Sequence, residues 1–225
     1  MHTYSKILAH IPHASIHDYS FGWCSSALLF PEVKRLTDWH TEILFDTTNP
    51  KVDVMVFPHS RFYVDVERLE HDPLEEIGQG MIYTKYNGFE RYLLTSEDKD
   101  TLKSIYYDWK KECDGHIVDN TLVIDCHSFP SDISEDIDVC IGFKEDESKP
   151  DEEVISFIVD EFRKHGYTVG INTPYSNSVV FDKPHHSLMI ELNKRIYMNE
   201  DTLLLDPKTY ILGCTIHRIY NTLTA

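Results

Sequence analysis

Short apolar runs and stretches of helical period take turns along this chain. The first run, Lys-Ile-Leu-Ala-His-Ile over residues 6–11, has the content of a strand and stops at Pro12-His13-Ala14-Ser15. Residues 31–48 repeat at helical spacing. At about 100° per residue, Val33, Leu36, Trp39, Ile43 and Leu44 share one arc, with Pro31 in the first turn, where a missing N–H costs nothing. His40 falls inside that arc, and Asp38 and Glu42 lie opposite it. Residues 52–57 predict a second strand, ending in Pro58-His59-Ser60-Arg61, and residues 62–66 alternate as a short strand-like piece before Glu67 and Arg68. Residues 70–96, rich in Gly, Tyr, Glu and Asp, predict a long loop with local turns over the site.

Residues 97–113 predict a helix through Leu102, Ile105, Tyr106 and Trp109. Strands are expected at 121–130, 137–143, 167–172 and 187–192. An acidic loop over 145–151 precedes a helix over 151–165, and Gly166 stands where a glycine ends such a helix. Residues 207–222 predict a closing helix. Strands alternating with helices imply βαβ units, so the chain reads as one three-layer α/β domain over residues 1–225 with a mostly parallel, mixed sheet.

The strand ends carry the chemistry. Leu122-Val123-Ile124 is a run suited to burial on both faces, and it breaks into Asp125-Cys126-His127-Ser128 before Pro130. Open α/β sheets bind ligands at the carboxyl ends of such strands, and alternate positions such as Asp125 and His127 point to one side. Other segments finish in His13, Arg61 and Glu191. Two histidines from separate strands, a carboxylate and an open position describe a catalytic zinc site. A carboxylate beside the attacking water is the usual general base, and Glu191, on a buried strand, suits that role. No HExxH or HxxE motif is present, so spacing alone leaves the metal open.

Charge narrows the partners. The net charge of −17, from 21 basic and 38 acidic residues, argues against nucleic acid, which needs a basic surface. It leaves room for a small anionic substrate held by a few arginines. The 5 cysteines include no CxxC pair, the pattern of a reducing cytoplasm. No stretch reads as a signal peptide and no apolar run has the roughly 18 residues of a membrane span, so no membrane partner is expected. The oligomeric state is not legible.

Six segments in order carry a resemblance: Ile-Pro-His-Ala-Ser (11–15), Thr-Asp-Trp-His-Thr (37–41), Ser-Arg-Phe-Tyr-Val-Asp-Val-Glu-Arg (60–68), Asp-Cys-His-Ser-Phe-Pro (125–130), Asn-Thr-Pro-Tyr (172–175) and Ile-Glu-Leu-Asn-Lys-Arg-Ile-Tyr-Met (190–198). Together, from about residue 7 to about residue 200, the chain resembles the N-formylglutamate amidohydrolase family. The resemblance implies a fold like that of zinc carboxypeptidases, phosphorylase/hydrolase-like proteins and aminoacylase-type deacylases. It also implies a divalent-metal hydrolase, with zinc the expected ion, that cleaves N-formyl-L-glutamate to formate and glutamate. On matching positions it implies His13, Asp38 and His127 at the metal, Glu191 as acid/base, and Arg61 and Arg68 on a substrate carboxylate. Arg61 is also a catalytic candidate, and Asn172 and Asn193, at strand ends, are candidate substrate contacts. His40, which shares the apolar arc that Asp38 avoids, is the substitute third ligand; Ser15, Asp125 and Tyr197 complete the candidates. Ser176, Asn177 and Ser178 stand where the family usually has a glycine-rich turn and would narrow or re-aim the pocket.

Blander readings accompany these residues. His185 and His186 are adjacent on an extended segment, so they point apart and read as a solvated loop. Cys126 faces away from its neighbour His127 and reads as an inert buried thiol. Two rivals to the formylglutamate reading remain: the same site acting on a peptide, a longer N-acyl amino acid or a cell-wall amide, and a metal- or ligand-binding protein without turnover.

Overall fold

The structure is a computed structural model that describes residues 2–225 apart from Tyr92, Asn177, Ser178 and Val180. In chain order its elements are β1 (Lys6–Ile11), α1 (Ser26–Leu36), α2 (Thr41–Leu44), β2 (Val52–Val56), β3 (Lys85–Tyr86), β4 (Phe89–Glu90), α3 (Ser96–His116), β5 (Thr121–Phe129), β6 (Val139–Gly142), α4 (Glu152–Lys164), β7 (Val169–Ile171), β8 (His186–Asn193) and α5 (Thr209–Leu223). Short 3-10 turns lie at Pro73–Ile77, Ser131–Ile133 and Lys194–Ile196. The main sheet has the order β2-β1-β5-β8-β6-β7, and β3 pairs with β4 in a small hairpin. β2, β1, β5 and β8 run parallel, β6 is antiparallel to β8, and β7 is parallel to β6. This is the mostly parallel mixed sheet expected from the alternation of strands and helices.

All of β5 is buried, because the run that forms it lies between two neighbours and two packed faces. Alternation decides which face each side chain serves. Ile7, Ala9, Leu122, Ile124, Leu188 and Ile190 join a core with Val154 and Ile158 of α4 and Leu212 and Ile216 of α5. Leu8 and Val123 point the other way, against Leu102, Tyr106, Trp109 and Cys113 of α3. α3 opens with a capping box: Thr95 Oγ1 accepts from Asp98 N–H at 3.1 Å, and the Asp98 carboxylate accepts from Thr95 N–H at 2.8 Å. Among the described residues no helix is long and apolar enough to cross a membrane.

Two local expectations are corrected. The helix predicted over 31–48 is two helices with a break. α1 begins at Ser26, carries Pro31 inside it and ends at Leu36. Thr37 closes its last turn with N–H and Oγ1 both on Val33 O, and the Asp38 N–H then donates to His13 O at 3.0 Å. That long-range bond pulls the chain out of the helix, and His40 takes a left-handed φ of 66° before α2. The break alters the arc: Asp38, opposite it, is 3% exposed and Ile43, on it, is 55% exposed, while Val33 and Leu44 stay buried. The alternating piece at 62–66 forms no strand. Tyr63 and Val64 N–H groups both donate to Ser60 O, so the segment coils into turns beneath the sheet's carboxyl edge.

Candidate active site

Because β1, β5 and β8 are parallel, their carboxyl ends share one edge, and His13, His127 and Glu191 meet there. His127 and Glu191 are direct partners in the β5–β8 register and therefore point to one side. His13 Nε2 is 2.9 Å from Asp65 Oδ1, and His127 Nδ1 is 3.0 Å from Asp38 Oδ2. A carboxylate only accepts, so each histidine donates from that nitrogen and turns the other inward. Those inward atoms, His13 Nδ1 and His127 Nε2, are buried without a hydrogen-bond partner. They face Glu67: His127 Nε2 lies 3.2 Å from Oε1 and His13 Nδ1 lies 3.8 Å from Oε2. One ligand atom from each of His13, Glu67 and His127 lies within 4.8 Å of the others. Atoms bound to one zinc ion at about 2 Å are themselves roughly 3–4 Å apart, so this donor set fits a divalent ion.

The electrostatics favour a cation. Burial pulls the His13 pKa down, helped by Arg61, so His13 stays neutral. His127 is held well above the usual histidine range: burial opposes its charge, but Glu67, Asp125 and Asp38 outweigh it. The carboxyl of Glu67 is lowered against the cost of burial, mainly by His127. Surplus negative charge around two imidazoles is thus balanced either by a proton on His127 or by a metal that displaces it.

Asp65 is a buried hub. Its Oδ1 accepts from His13, while Oδ2 accepts from Arg61 Nη2 at 3.0 Å, Arg61 Nε at 3.3 Å and the Tyr83 hydroxyl at 3.0 Å, with Arg68 Nε 3.8 Å away. Burial would raise the Asp65 carboxyl, but Arg61, His13 and Arg68 hold it well below the usual range. Asp125 is likewise kept ionised despite burial, by His127 and His10. Its Oδ1 lies 2.8 Å from His10 Nδ1 and 3.2 Å from His127 Nε2. Trp109 Nε1–H donates to His10 Nε2 at 3.0 Å; since indole only donates, the His10 proton is on Nδ1, aimed at Asp125.

Glu191 is only 8% exposed, and its Oε2 has no hydrogen-bond partner. Burial, reinforced by the Asp38 and Glu67 charges, pushes its carboxyl up to about 8. A carboxyl that exchanges its proton near neutrality is suited to acid/base work.

His13, Glu67, His127 and Glu191 line a cavity of about 450 Å³, a size within the range of small-ligand sites. Of the sequence candidates, His13, Asp38, Arg61, Arg68, His127 and Glu191 all line it. Asp125 does not line it, although its Oδ1 lies 3.2 Å from the inward nitrogen of His127. The others are turned elsewhere. Asn172 Oδ1 accepts from Phe143 N–H, and the Asn193 amide donates to Ser134 O and Ile137 O. His40 Nε2 bonds Leu203 O, Ser15 Oγ donates to Pro58 O, and the Tyr197 hydroxyl donates to Trp39 O. None of these five lines the cavity. Ser176 is on the wall; Asn177 and Ser178 lie outside the described residues.

The converging donor atoms come from His13, Glu67 and His127, whereas Asp38 Oδ2 lies 3.0 Å from the outer nitrogen of His127 and 3.9 Å from His13 Nδ1. Glu67 and the Asp65 hub went unassigned in the sequence. The available signal was the crowding of Arg61, Asp65, Glu67 and Arg68 into one short, otherwise apolar segment.

Comparison with known proteins completes the picture. Among solved structures the chain is similar to the crystal structure of N-formylglutamate amidohydrolase from Ralstonia eutropha JMP134, with a TM-score of 0.77 and 18% identity, covering 99% of this chain and 95% of that one. It is also similar to the crystal structure of a gene product from Agrobacterium tumefaciens, with a TM-score of 0.65 and 14% identity, over 97% of this chain and 88% of that one. Identities this low speak for the fold. No curated protein matches the chain. The N-formylglutamate amidohydrolase family matches it over residues 5–198. With that match spanning most of its length, the chain belongs to the N-formylglutamate amidohydrolase family of hydrolases.

Proposed function

We propose that the chain is a divalent-metal amidohydrolase acting on a small N-acyl amino acid, with N-formyl-L-glutamate as the reference substrate. The observation that carries this is a pair of buried imidazole nitrogens, on His13 and His127, that make no hydrogen bond and converge with Glu67 beside the buried carboxyl of Glu191. In this reading His13, Glu67 and His127 hold the ion, and zinc is the expected one. Asp65 and Asp38 fix the two imidazoles through their outer nitrogens, as carboxylates behind metal-binding histidines do. The chemistry such an ion supplies is Lewis acidity toward a carbonyl oxygen and acidification of water.

In its ionised form, which a cation held by His13, Glu67 and His127 would favour, Glu191 accepts the proton of the attacking water as the water oxygen adds to the acyl carbon. The C–N bond then breaks, and Glu191 delivers the proton to the leaving amine nitrogen. Formate and the free amino acid account for every atom of amide and water. Arg61 spends Nε and Nη2 on Asp65 and offers its remaining N–H groups to the cavity that it lines. A carboxylate held there fixes the amide relative to Glu191.

The test is purified protein stripped with a chelator and reloaded with zinc, manganese or cobalt. Formate and amino acid should appear in equal amounts from an N-formyl amino acid, and only after reloading. Metal-loaded protein that releases no formate from any member of a panel of N-formyl amino acids refutes the reading. Bound metal without turnover would instead favour a binding protein.

A further inference from the structure

A second cavity, of about 200 Å³, shares one segment of chain with the active-site cavity. Leu36 and Asp38 line the first, whereas Arg35 and Trp39 line the second. Lys34 and Arg35 stand three and four residues after Pro31 on one face of α1, and all three border this second space. Lys194 enters it from the 3-10 turn after β8, and Met198, Glu200 and Leu203 from the loop beyond.

Lys194 is the residue that asks for a partner. It is 2% exposed, and its Nζ donates to Arg35 O in the last turn of α1. Capping that helix end uses one of three N–H groups. Burial pulls the Lys194 pKa down, while the Asp38 and Glu200 charges act on it from beyond ion-pair distance. Lys34 Nζ donates to Asp201 O at 2.7 Å, so it too meets a neutral carbonyl. Among the described residues neither lysine makes an ion pair, whereas Arg35 Nη2 bonds both oxygens of Asp132 at 3.0 Å. The wall thus carries three cations against one acid, Glu200, whose Oε1 accepts from Ser131 N–H at 3.2 Å. In a chain of net charge −17 this is a local reversal of sign. The rest of the wall is Pro31, Trp39, Met198 and Leu203. The indole N–H of Trp39 is spent on Lys34 O at 2.8 Å, so the ring offers apolar surface.

We infer that this cavity is a second ligand site, which takes a small monocarboxylate with an apolar body. The carboxylate pairs with Lys194 and Lys34, and the body lies against Trp39, Met198 and Leu203. A compact dianion such as phosphate would leave the apolar wall unused and meet Glu200. The inference goes beyond the hydrolase reading and uses none of its residues. An occupant would rest against the same short segment that carries Asp38.

The test titrates the full chain with phenylacetate and hexanoate, and with acetate and inorganic phosphate beside them, by calorimetry and tryptophan fluorescence. The first two should saturate with Kd on the order of 0.1–1 mM, and the other two should bind at least about tenfold more weakly. Trp39→Phe should remove the fluorescence change while calorimetric binding persists. Lys194→Met should weaken phenylacetate by about tenfold or more, and Lys34→Glu takes its place if that variant fails to fold. Arg61→Ala, which strips the active-site cavity of a cation, should leave Kd within about twofold. Absence of saturable binding below about 10 mM overturns the inference. So does phosphate bound as tightly as phenylacetate, or a Kd that follows Arg61 and ignores both lysines.

Discussion

Replacing Glu191 by glutamine should make the metal-free protein more stable while nearly abolishing its activity. The carboxyl is pushed from the 4.5 of an ordinary glutamate up to about 8, first by burial and then by the Asp38 and Glu67 charges. Between those values the folded chain keeps a proton that the unfolded chain has lost, so stability falls as pH rises through that window. The largest loss that this linkage allows is about 5 kcal/mol, and relaxation and water entry should reduce it to roughly 1–3 kcal/mol. Glutamine keeps the shape and carries no charge, so it removes the loss at alkaline pH and changes little in acid.

Urea unfolding of both proteins with chelator, at about pH 5 and about pH 8.5, measures this directly. The variant's advantage should be small at the lower pH and roughly 1–3 kcal/mol at the higher. In zinc-loaded protein the same change should retain the metal and lower kcat by roughly 10²–10⁴, the usual contribution of a positioned acid/base. A stability difference independent of pH, or a variant less stable than the parent at about pH 8.5, would refute the argument that burial of Glu191 is opposed by its charge.

The roles at the metal separate by metal analysis: His127→Ala and Glu67→Gln should purify without zinc, whereas Asp38→Asn should keep it with roughly 10–100-fold weaker affinity by chelator competition. Full zinc retention in Glu67→Gln together with loss in Asp38→Asn would restore Asp38 as the third ligand. Arg61→Ala should raise KM for N-formyl substrates and lower stability by about 2–3 kcal/mol in denaturant unfolding, because Asp65 loses its closest cationic partner. Thr95→Ala removes one half of the α3 capping box, should cost about 1 kcal/mol, and should leave kcat and KM unchanged.

The strands were legible because their runs combine β-branched content with abrupt polar ends, and β5, with its Asp125 and His127 tip, showed both. The parallel register that brings Glu191 beside His127 follows from those same runs once helices separate them. Periodicity failed between Thr37 and His40, because the bond from Asp38 N–H to His13 O is a contact across the fold that no local window contains. It therefore placed Asp38 in solvent, whereas Asp38 is buried beside the site and the half-buried His40 bonds Leu203 O away from it. Glu67 was hidden for a related reason. Apolar alternation from Phe62 to Val66 resembles a strand, but burial of Phe62, Val64 and Val66 comes from turns that pack beneath the sheet edge, and those turns deliver Asp65 and Glu67 to the histidines. Asn172 and Asn193 sit at strand ends as expected, yet their amides are consumed in holding neighbouring loops.

The two oxygens of Asp65 join parts of the site that evolution would otherwise be free to alter separately. One fixes His13 and the other gathers Arg61, Arg68 and Tyr83, so any change of an arginine to suit a new substrate also disturbs the lever that aims His13. Mutational routes through the arginines are therefore strongly epistatic, each step needing a compensating one at Asp65 before activity returns. The apolar wall has no such tie. Leu36, Phe129, Pro130, Pro174 and Met189 line the cavity without hydrogen-bonding to either oxygen, so they offer a smoother path for a change of substrate that leaves Asp65 and its partners in place.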